Sequence, residues 1–142
     1  MSRRARVRAA RWFPPILYMA VIFYVSAQSN PMPELTARVS DKLLHLAEYA
    51  VLGVLWVRAL AGDGVALRAA VVVSVVLTSA YGATDEYHQS MVPGRHPDIA
   101  DWIIDTLGAS IGAAAYVAAS RPGRSKEMRY GEYGDYREYR DR

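Results

Sequence analysis

The sequence predicts an all-α fold, a polytopic membrane protein with four transmembrane helices and both termini in the cytoplasm. Three observations support this prediction. Four long segments of the 142-residue chain are almost free of charge, and each approaches the roughly 20 apolar residues that a membrane-spanning helix needs. Short polar stretches with proline or glycine separate these segments. Arginine and lysine concentrate near the two termini and the central turn, and such loops usually face the cytoplasm.

A basic arm, residues 1–11, precedes the first apolar segment and contains five arginines and no acid. Such an arm can bind nucleic acid, but the apolar run 12–27 follows it at once. We therefore interpret it as a membrane-flanking cluster and expect no nucleic-acid partner. Pro14 and Pro15 suit the first turn of a helix. Residues 25–27, Val-Ser-Ala, resemble a cleavage site, so a removed signal peptide is an alternative. Because three further apolar spans follow, we favour the interpretation that this first segment is an uncleaved membrane anchor.

The second and third spans, from Asp41 to Leu60 and from Val65 to Ala83, are predicted to be helices joined by a tight turn. Asp41, His45 and Glu48 recur at helical spacing, so they share one face near the start of the second span. The third span is rich in valine, as a buried strand would be. It is longer than a typical strand, which favours a helix.

The fourth span, residues 99–119, carries an acidic stripe that passes into small residues. The stripe consists of Asp98, Asp101, Asp105, Gly108 and Gly112, whose spacing of three or four places them on one helical face. Its two glycines form a G-x-x-x-G motif, which lets a neighbouring helix approach closely. We expect this face to point into the protein and to shelter the aspartates.

Half of the chain's 14 acids are predicted to meet at the outer ends of spans two, three and four. They are Asp41, Glu48, Asp85, Glu86, Asp98, Asp101 and Asp105. Because charge within a span costs about 2.5–3.5 kcal/mol per residue, it usually persists for a functional reason. The membrane domain would cover residues 12–119, and the tyrosine- and arginine-rich residues 120–142 would form a disordered cytoplasmic tail. The absence of cysteine excludes disulfides and thiolate chemistry.

The polar residues carry a family resemblance. The motifs are Asp41-Lys42-x-x-His45 with Tyr49, Asp85-Glu86-x-x-Gln89, Pro93-Gly94-Arg95, Asp101 and Gly108-x-x-x-Gly112. Together they resemble the VanZ-like family of small bacterial membrane proteins over about residues 40–112. The resemblance implies a helical protein of the bacterial cytoplasmic (inner) membrane, and the founding member is linked to low-level resistance to the glycopeptide teicoplanin. Asp105 departs from the asparagine that the family often has, which adds an acid to the site.

Three interpretations of the polar residues stay open. They can form an internal network that closes the bundle, with Arg95 bridging Asp85 or Asp101. They can form a pocket for an anionic or sugar-bearing headgroup, in which Arg95 would bind a phosphate and the acids hydroxyls or amines. They can be catalytic, with Glu86 or Asp101 as general base and His45 exchanging protons with it. In each case we expect Arg95 to lie within hydrogen-bond reach of Asp85, Glu86 or Asp101.

We predict an extracytoplasmic pocket that binds or protects a cell-envelope component, such as a lipid-linked cell-wall precursor. A membrane-embedded hydrolase or transferase acting on a lipid-linked headgroup is the alternative. The predicted ligand-binding residues are Lys42, His45, Glu48, Tyr49, Asp85, Glu86, Gln89, Arg95, Asp101 and Asp105. No metal site is predicted, although clustered carboxylates would suit Mg²⁺ or Ca²⁺ and the chain lacks the H-E-x-x-H zinc pattern. The oligomeric state is left open.

Several further side chains receive structural interpretations. Gln89 is expected to hydrogen-bond across helices, although it could equally face a ligand. His88 and His96 lie near a loop and are expected to be solvated. Trp12, Trp56 and Trp102 fall near the ends of predicted spans, where tryptophan commonly anchors a helix at the membrane interface.

Overall fold

The computed structural model of the chain describes residues 1–29 and 40–120, and it contains four long helices. They are α1 (Arg3–Ser26), α2 (Asp41–Gly62), α3 (Leu67–Gln89) and α4 (Ile99–Ser120). Each has 22 to 24 residues, which at 1.5 Å per residue gives about 33–36 Å of helix, enough for a hydrocarbon core of about 30 Å. All four are also apolar enough to cross a membrane. The predicted tail lies outside the described residues.

The prediction of an all-α membrane protein with four spanning helices is confirmed, and the described residues contain no strand. Consecutive helices run antiparallel, as in an up-and-down bundle. Large aliphatic side chains, including Ile16, Val72, Val76 and Ile111, are exposed on its outside. This apolar exterior is what a helix bundle presents to lipid. With four spans, the start of α1 and the end of α4 lie at the same end of the bundle, whereas the side of the membrane that they face stays a prediction.

Helix α1 is longer than the apolar pattern predicts, because the basic arm is part of it. The side chain of Ser2 caps the helix by accepting a hydrogen bond from the Ala5 backbone N–H, and arginine is a good helix former. Pro14 and Pro15 therefore lie inside the helix, and the interpretation that they mark its first turn is wrong. The arm packs on the turn between α2 and α3, where Arg8 forms an ion pair with Asp63 at 2.9 Å.

Helices α2 and α4 make the closest contact in the bundle, at positions where glycine replaces a side chain. A Cβ on Gly108 would overlap the carbonyl oxygen of Leu46, and one on Gly112 would overlap that of Ala50. From the other side, a Cβ on Gly53 would lie 2.6 Å from the carbonyl oxygen of Ala109. The close approach expected from the G-x-x-x-G motif is therefore present, with α2 as the partner.

Helix α3 contributes a narrow stripe of small and polar residues to the interior. Its buried positions Ala70, Ser74, Thr78 and Gly82 follow one another at intervals of four. The Ser74 hydroxyl donates a hydrogen bond of 2.8 Å to the Gly53 carbonyl oxygen, which ties α3 to α2. Small residues with occasional polar contacts are typical of helix interfaces in membranes.

The interior also contains an aromatic and aliphatic cluster formed mainly by α1 and α2. Ile22, Tyr49, Leu52 and Trp56 pack together there. Trp56 is only 8% exposed and contacts Trp12 edge to face, with ring centroids 5.8 Å apart. The interpretation of Trp56 as an interfacial anchor is therefore wrong, because α1 covers it.

Candidate functional site

Polar side chains from all four helices meet at one end of the bundle, which we call the polar end. It comprises the last turns of α1 and α3, the first turns of α2 and α4, and the α3–α4 loop. Helix α3 continues to Gln89, beyond the Ala83 at which the apolar pattern stops. The last turns of this helix therefore contain three buried polar residues, Asp85, Glu86 and Gln89. The hydropathy pattern alone placed these residues after the span.

The outer rim of the polar end is an ion-pair cluster around Lys42. Its ammonium lies 3.1 Å from Asp98 and 2.7 Å from Asp101. Asp98 also accepts a 2.8 Å hydrogen bond from the Ala100 backbone N–H at the start of α4. The Ala100 N–H and the Lys42 ammonium together hold the pKa of Asp98 below its ordinary value. This cluster joins the beginnings of α2 and α4.

Below the rim, His45 and Asp105 form a buried pair between α2 and α4. The His45 Nδ1 atom lies 3.0 Å from Asp105 Oδ1. Asp105 is completely buried and His45 is 8% exposed. Gly82 of α3 makes room for the carboxylate, because a Cβ there would lie 3.0 Å from Asp105 Oδ2. That Oδ2 atom has no hydrogen-bond partner among the residues that the structure describes.

Asp85 of α3 is fully engaged by two donors. The Ser26 hydroxyl of α1 donates to Asp85 Oδ1 at 2.6 Å, and the Gln89 side-chain amide donates to Asp85 Oδ2 at 3.0 Å. Gln89 thus bonds one turn back within its own helix, and within the described part of the chain its side chain forms no bond across helices. Sequence reasoning missed Ser26, since a lone serine in an apolar run gives no signal of a carboxylate partner.

Glu86 and Tyr49 complete the buried part of the site. Glu86 Oε2 accepts a 2.9 Å hydrogen bond from the Asp98 backbone N–H, which ties α3 to the loop before α4. Its other oxygen, Oε1, and the Tyr49 hydroxyl are buried with no hydrogen-bond partner in the described ranges, 1–29 and 40–120. Tyr49 is completely buried, and its ring lies parallel to that of His45. Glu48, one residue before it, is half-buried.

Arg95 does not lie where the sequence predicts. Its Nε atom donates a 3.2 Å hydrogen bond to the Gln28 carbonyl oxygen, and it forms no ion pair with Asp85, Glu86 or Asp101. The expectation that it reaches one of these acids is therefore wrong. Other donors contact the three acids instead: Ser26 and Gln89 at Asp85, the Asp98 N–H at one oxygen of Glu86 and Lys42 at Asp101.

The two histidines near the α3–α4 loop differ from each other. His96 is exposed, as expected. The His88 ring stacks on Phe23 of α1 with centroids 4.2 Å apart, and its Nε2 atom is buried with no partner in the described part of the chain. His88 is half-buried, so α1 shields part of the ring that was expected to be solvated.

The same end of the bundle contains two groups of side chains with metal-ligand chemistry. One group is Asp41, His45 and Asp101 at the rim, and the other is His45, Glu86 and Asp105 inside. Within each group the three ligand atoms lie within 4.8 Å of one another. The groups share His45, so they offer alternative positions for one ion.

The fold and the polar end define a class: a multi-pass helical membrane protein with buried carboxylates gathered at one end. The VanZ/LLP1 family model matches residues 10–120 of the sequence. The chain belongs to this family, and the resemblance stated from the motifs is confirmed. The match is longer than those motifs and includes most of α1. Among curated proteins and solved structures, no significant match to the chain was found.

Proposed function

We propose that this VanZ-family protein binds the headgroup of a cell-envelope component at its polar end, on the outer face of the bacterial inner membrane. A lipid-linked cell-wall precursor is the kind of ligand that fits, because it offers phosphate, hydroxyl and amine groups at this depth. By binding such a component the protein would protect it and contribute to resistance against teicoplanin-type glycopeptides, the family-level association. The observation that carries the proposal is the burial of Asp85, Glu86 and Asp105 together at one end.

Burial of three carboxylates between apolar helices is costly, and stability alone does not require it. In this proposal Arg95 is the rim group that contacts a phosphate. It is half-buried beside Gly94, whose φ of +81° turns the loop. Among the described residues it bonds only the Gln28 carbonyl oxygen, through Nε, so its planar guanidinium keeps further donors for a bidentate contact. The acids below it would accept hydrogen bonds from hydroxyl or amine groups.

Binding of a radiolabelled lipid-linked cell-wall precursor to the purified protein in lipid nanodiscs tests this proposal. Arg95→Ala should weaken binding at least about tenfold, because a charged hydrogen bond contributes about 1.5–3 kcal/mol and 1.4 kcal/mol is a factor of ten. Arg58→Ala is the matched control, since Arg58 is exposed near the other end of α2. Equal affinities for wild type and Arg95→Ala would contradict the proposed contact.

The same variants have an expected effect in cells. A strain that depends on this protein for teicoplanin resistance should become susceptible with Arg95→Ala and stay resistant with Arg58→Ala. Immunoblots of the membrane fraction must show equal amounts of both variants, so that loss of protein is separated from loss of function. Susceptibility that tracks protein amount alone would favour a purely structural role for Arg95.

One observation favours the second candidate, a hydrolase or transferase for a lipid-linked headgroup. His45 pairs with Asp105 at 3.0 Å, which is the geometry of a base held by an orienting carboxylate, and Glu86 lies in the same cluster. Incubation of the protein with a labelled lipid-linked substrate distinguishes the candidates. Turnover that Glu86→Gln abolishes while binding persists would establish the enzyme, and binding without turnover would exclude it for that substrate.

A further inference from the structure

Two buried carboxylate oxygens of the polar end have no hydrogen-bond partner among residues 1–29 and 40–120. They are Asp105 Oδ2 and Glu86 Oε1, on side chains that are 0% and 8% exposed. Buried polar atoms are nearly always paired, and leaving one unpaired costs about 1–3 kcal/mol, more for a charged group. Asp85, at the same depth, has both oxygens bonded. The two unpartnered oxygens therefore distinguish one part of the site from an ordinary closed network.

His45 completes a three-residue group with these two acids. One ligand atom from each of His45, Glu86 and Asp105 lies within 4.8 Å of the others. Ligand bonds of about 2.1 Å allow at most about 4.2 Å between two ligands of one ion, so a shift of a few tenths of an ångström closes the set. The 3.0 Å between His45 Nδ1 and Asp105 Oδ1 is about the spacing of adjacent ligands at 90° with such bonds.

The charges of this group also favour a cation. Two carboxylates face one imidazole, so even a protonated His45 leaves an excess of negative charge inside the bundle. Among the described residues, the cations of the polar end are engaged elsewhere: Lys42 with Asp98 and Asp101, and Arg95 with the Gln28 carbonyl. A divalent ion would neutralise both acids at once. A proton on Glu86 is the competing way to remove the excess charge.

We propose that His45, Glu86 and Asp105 bind one divalent transition metal ion of the Zn²⁺ or Mn²⁺ kind. The imidazole decides between metal classes, because Mg²⁺ and Ca²⁺ prefer all-oxygen sets whereas imidazole with carboxylates suits first-row transition ions. The inner group is chosen over the rim group for two reasons. Asp41 is exposed, and Asp101 Oδ1 is already bound by Lys42 at 2.7 Å. The proposal does not depend on headgroup binding, since the metal alone is the probe.

The test uses the full chain, purified in detergent through a tag that binds no metal and stripped with a chelator. Titration calorimetry with Zn²⁺ and with Mn²⁺, together with metal analysis after desalting, should give one ion per chain. Glu86→Gln and Asp105→Asn should each weaken binding by more than about 100-fold, beyond the roughly 10–100-fold typical of residues that only support a ligand. Asp63→Asn is the control and should bind as wild type does, because Asp63 lies at the opposite end of the bundle, where it pairs with Arg8 at 2.9 Å.

Circular dichroism and gel filtration check that each variant is folded. Both amide variants retain the shape of the side chain they replace and remove a buried charge, so they should keep helix content. If one fails to fold, the wild-type protein still decides the matter: saturation at one equivalent supports the site, and no binding of either ion up to about 1 mM overturns it. Unchanged binding in folded Glu86→Gln and Asp105→Asn, or loss of binding in Asp63→Asn, would overturn it as well.

Discussion

At the scale of single residues, the Ser26–Asp85 bond shows how a carboxylate is accommodated among apolar helices. Ser26 is 5% exposed and Asp85 4% exposed, and their oxygens are 2.6 Å apart. A charge-assisted hydrogen bond of this kind is roughly twice as strong as a neutral one. It joins the last turn of α1 to α3, so it also fixes the position of the first helix at the polar end.

We predict that Ser26→Ala lowers the free energy of unfolding by about 1–3 kcal/mol, because it leaves a buried carboxylate oxygen without its donor. Unfolding of the detergent-solubilised protein by dodecyl sulfate, followed by circular dichroism, measures the change. Ser110→Ala is the matched control, since the exposed Ser110 hydroxyl bonds only the Thr106 carbonyl of its own helix. Equal losses in the two variants would show that the bond to Asp85 contributes little.

Sequence reasoning placed the acids correctly at one end but assigned the wrong cation to them. Helical spacing puts His45 and Asp105 each on the face that turns inward, and this follows from the residues alone. Which donor reaches which acid depends on how far one helix is shifted along its axis relative to another helix that is distant in sequence. Ser26 and Asp85 are separated by 59 positions, and no local pattern connects them. The prediction that Arg95 reaches Asp85, Glu86 or Asp101 was wrong for this reason.

At the scale of helices, the contact of α2 with α4 depends on glycines that let two backbones touch. We predict that Gly112→Val destabilises the protein by about 1–3 kcal/mol, the usual cost of overpacking. A valine there would place its Cβ against the Ala50 carbonyl oxygen, which is backbone and cannot rotate away. The dodecyl sulfate assay applies again. Ala115→Val, on the exposed face of the same helix, should change stability little, and a similar loss there would contradict the explanation.

The helix boundaries show where hydropathy stops being informative. Apolar periodicity located all four helices, yet it began α1 at Trp12 and ended α3 at Ala83. Both helices continue through charged residues, to Arg3 and to Gln89, because a helix is maintained by backbone hydrogen bonds and local propensity. The G-x-x-x-G motif predicted a close helix contact. It could not name α2 as the partner, since a single glycine at position 53 carries no recognisable pattern.

At the scale of the whole molecule, the arrangement of charges predicts which side of the membrane each end faces. At the end opposite the polar end lies a groove of about 690 Å³. It is lined by Val7, Asp63 and the four arginines Arg3, Arg4, Arg8 and Arg11. The buried carboxylates lie at the polar end instead. Positively charged flanks stay in the cytoplasm, so we infer that the groove is cytoplasmic and that the polar end faces outward.

The absence of cysteine makes this orientation directly measurable with single-cysteine variants. Met91 is 61% exposed in the α3–α4 loop, and Ala66 is exposed in the α2–α3 turn at the other end. In intact cells a membrane-impermeant maleimide should label Met91→Cys and leave Ala66→Cys unlabelled until the cells are lysed. The reverse pattern would put the carboxylates in the cytosol. It would remove the proposed contact with an extracytoplasmic headgroup. The proposed metal site, which depends only on His45, Glu86 and Asp105, would still be tested by its own titration.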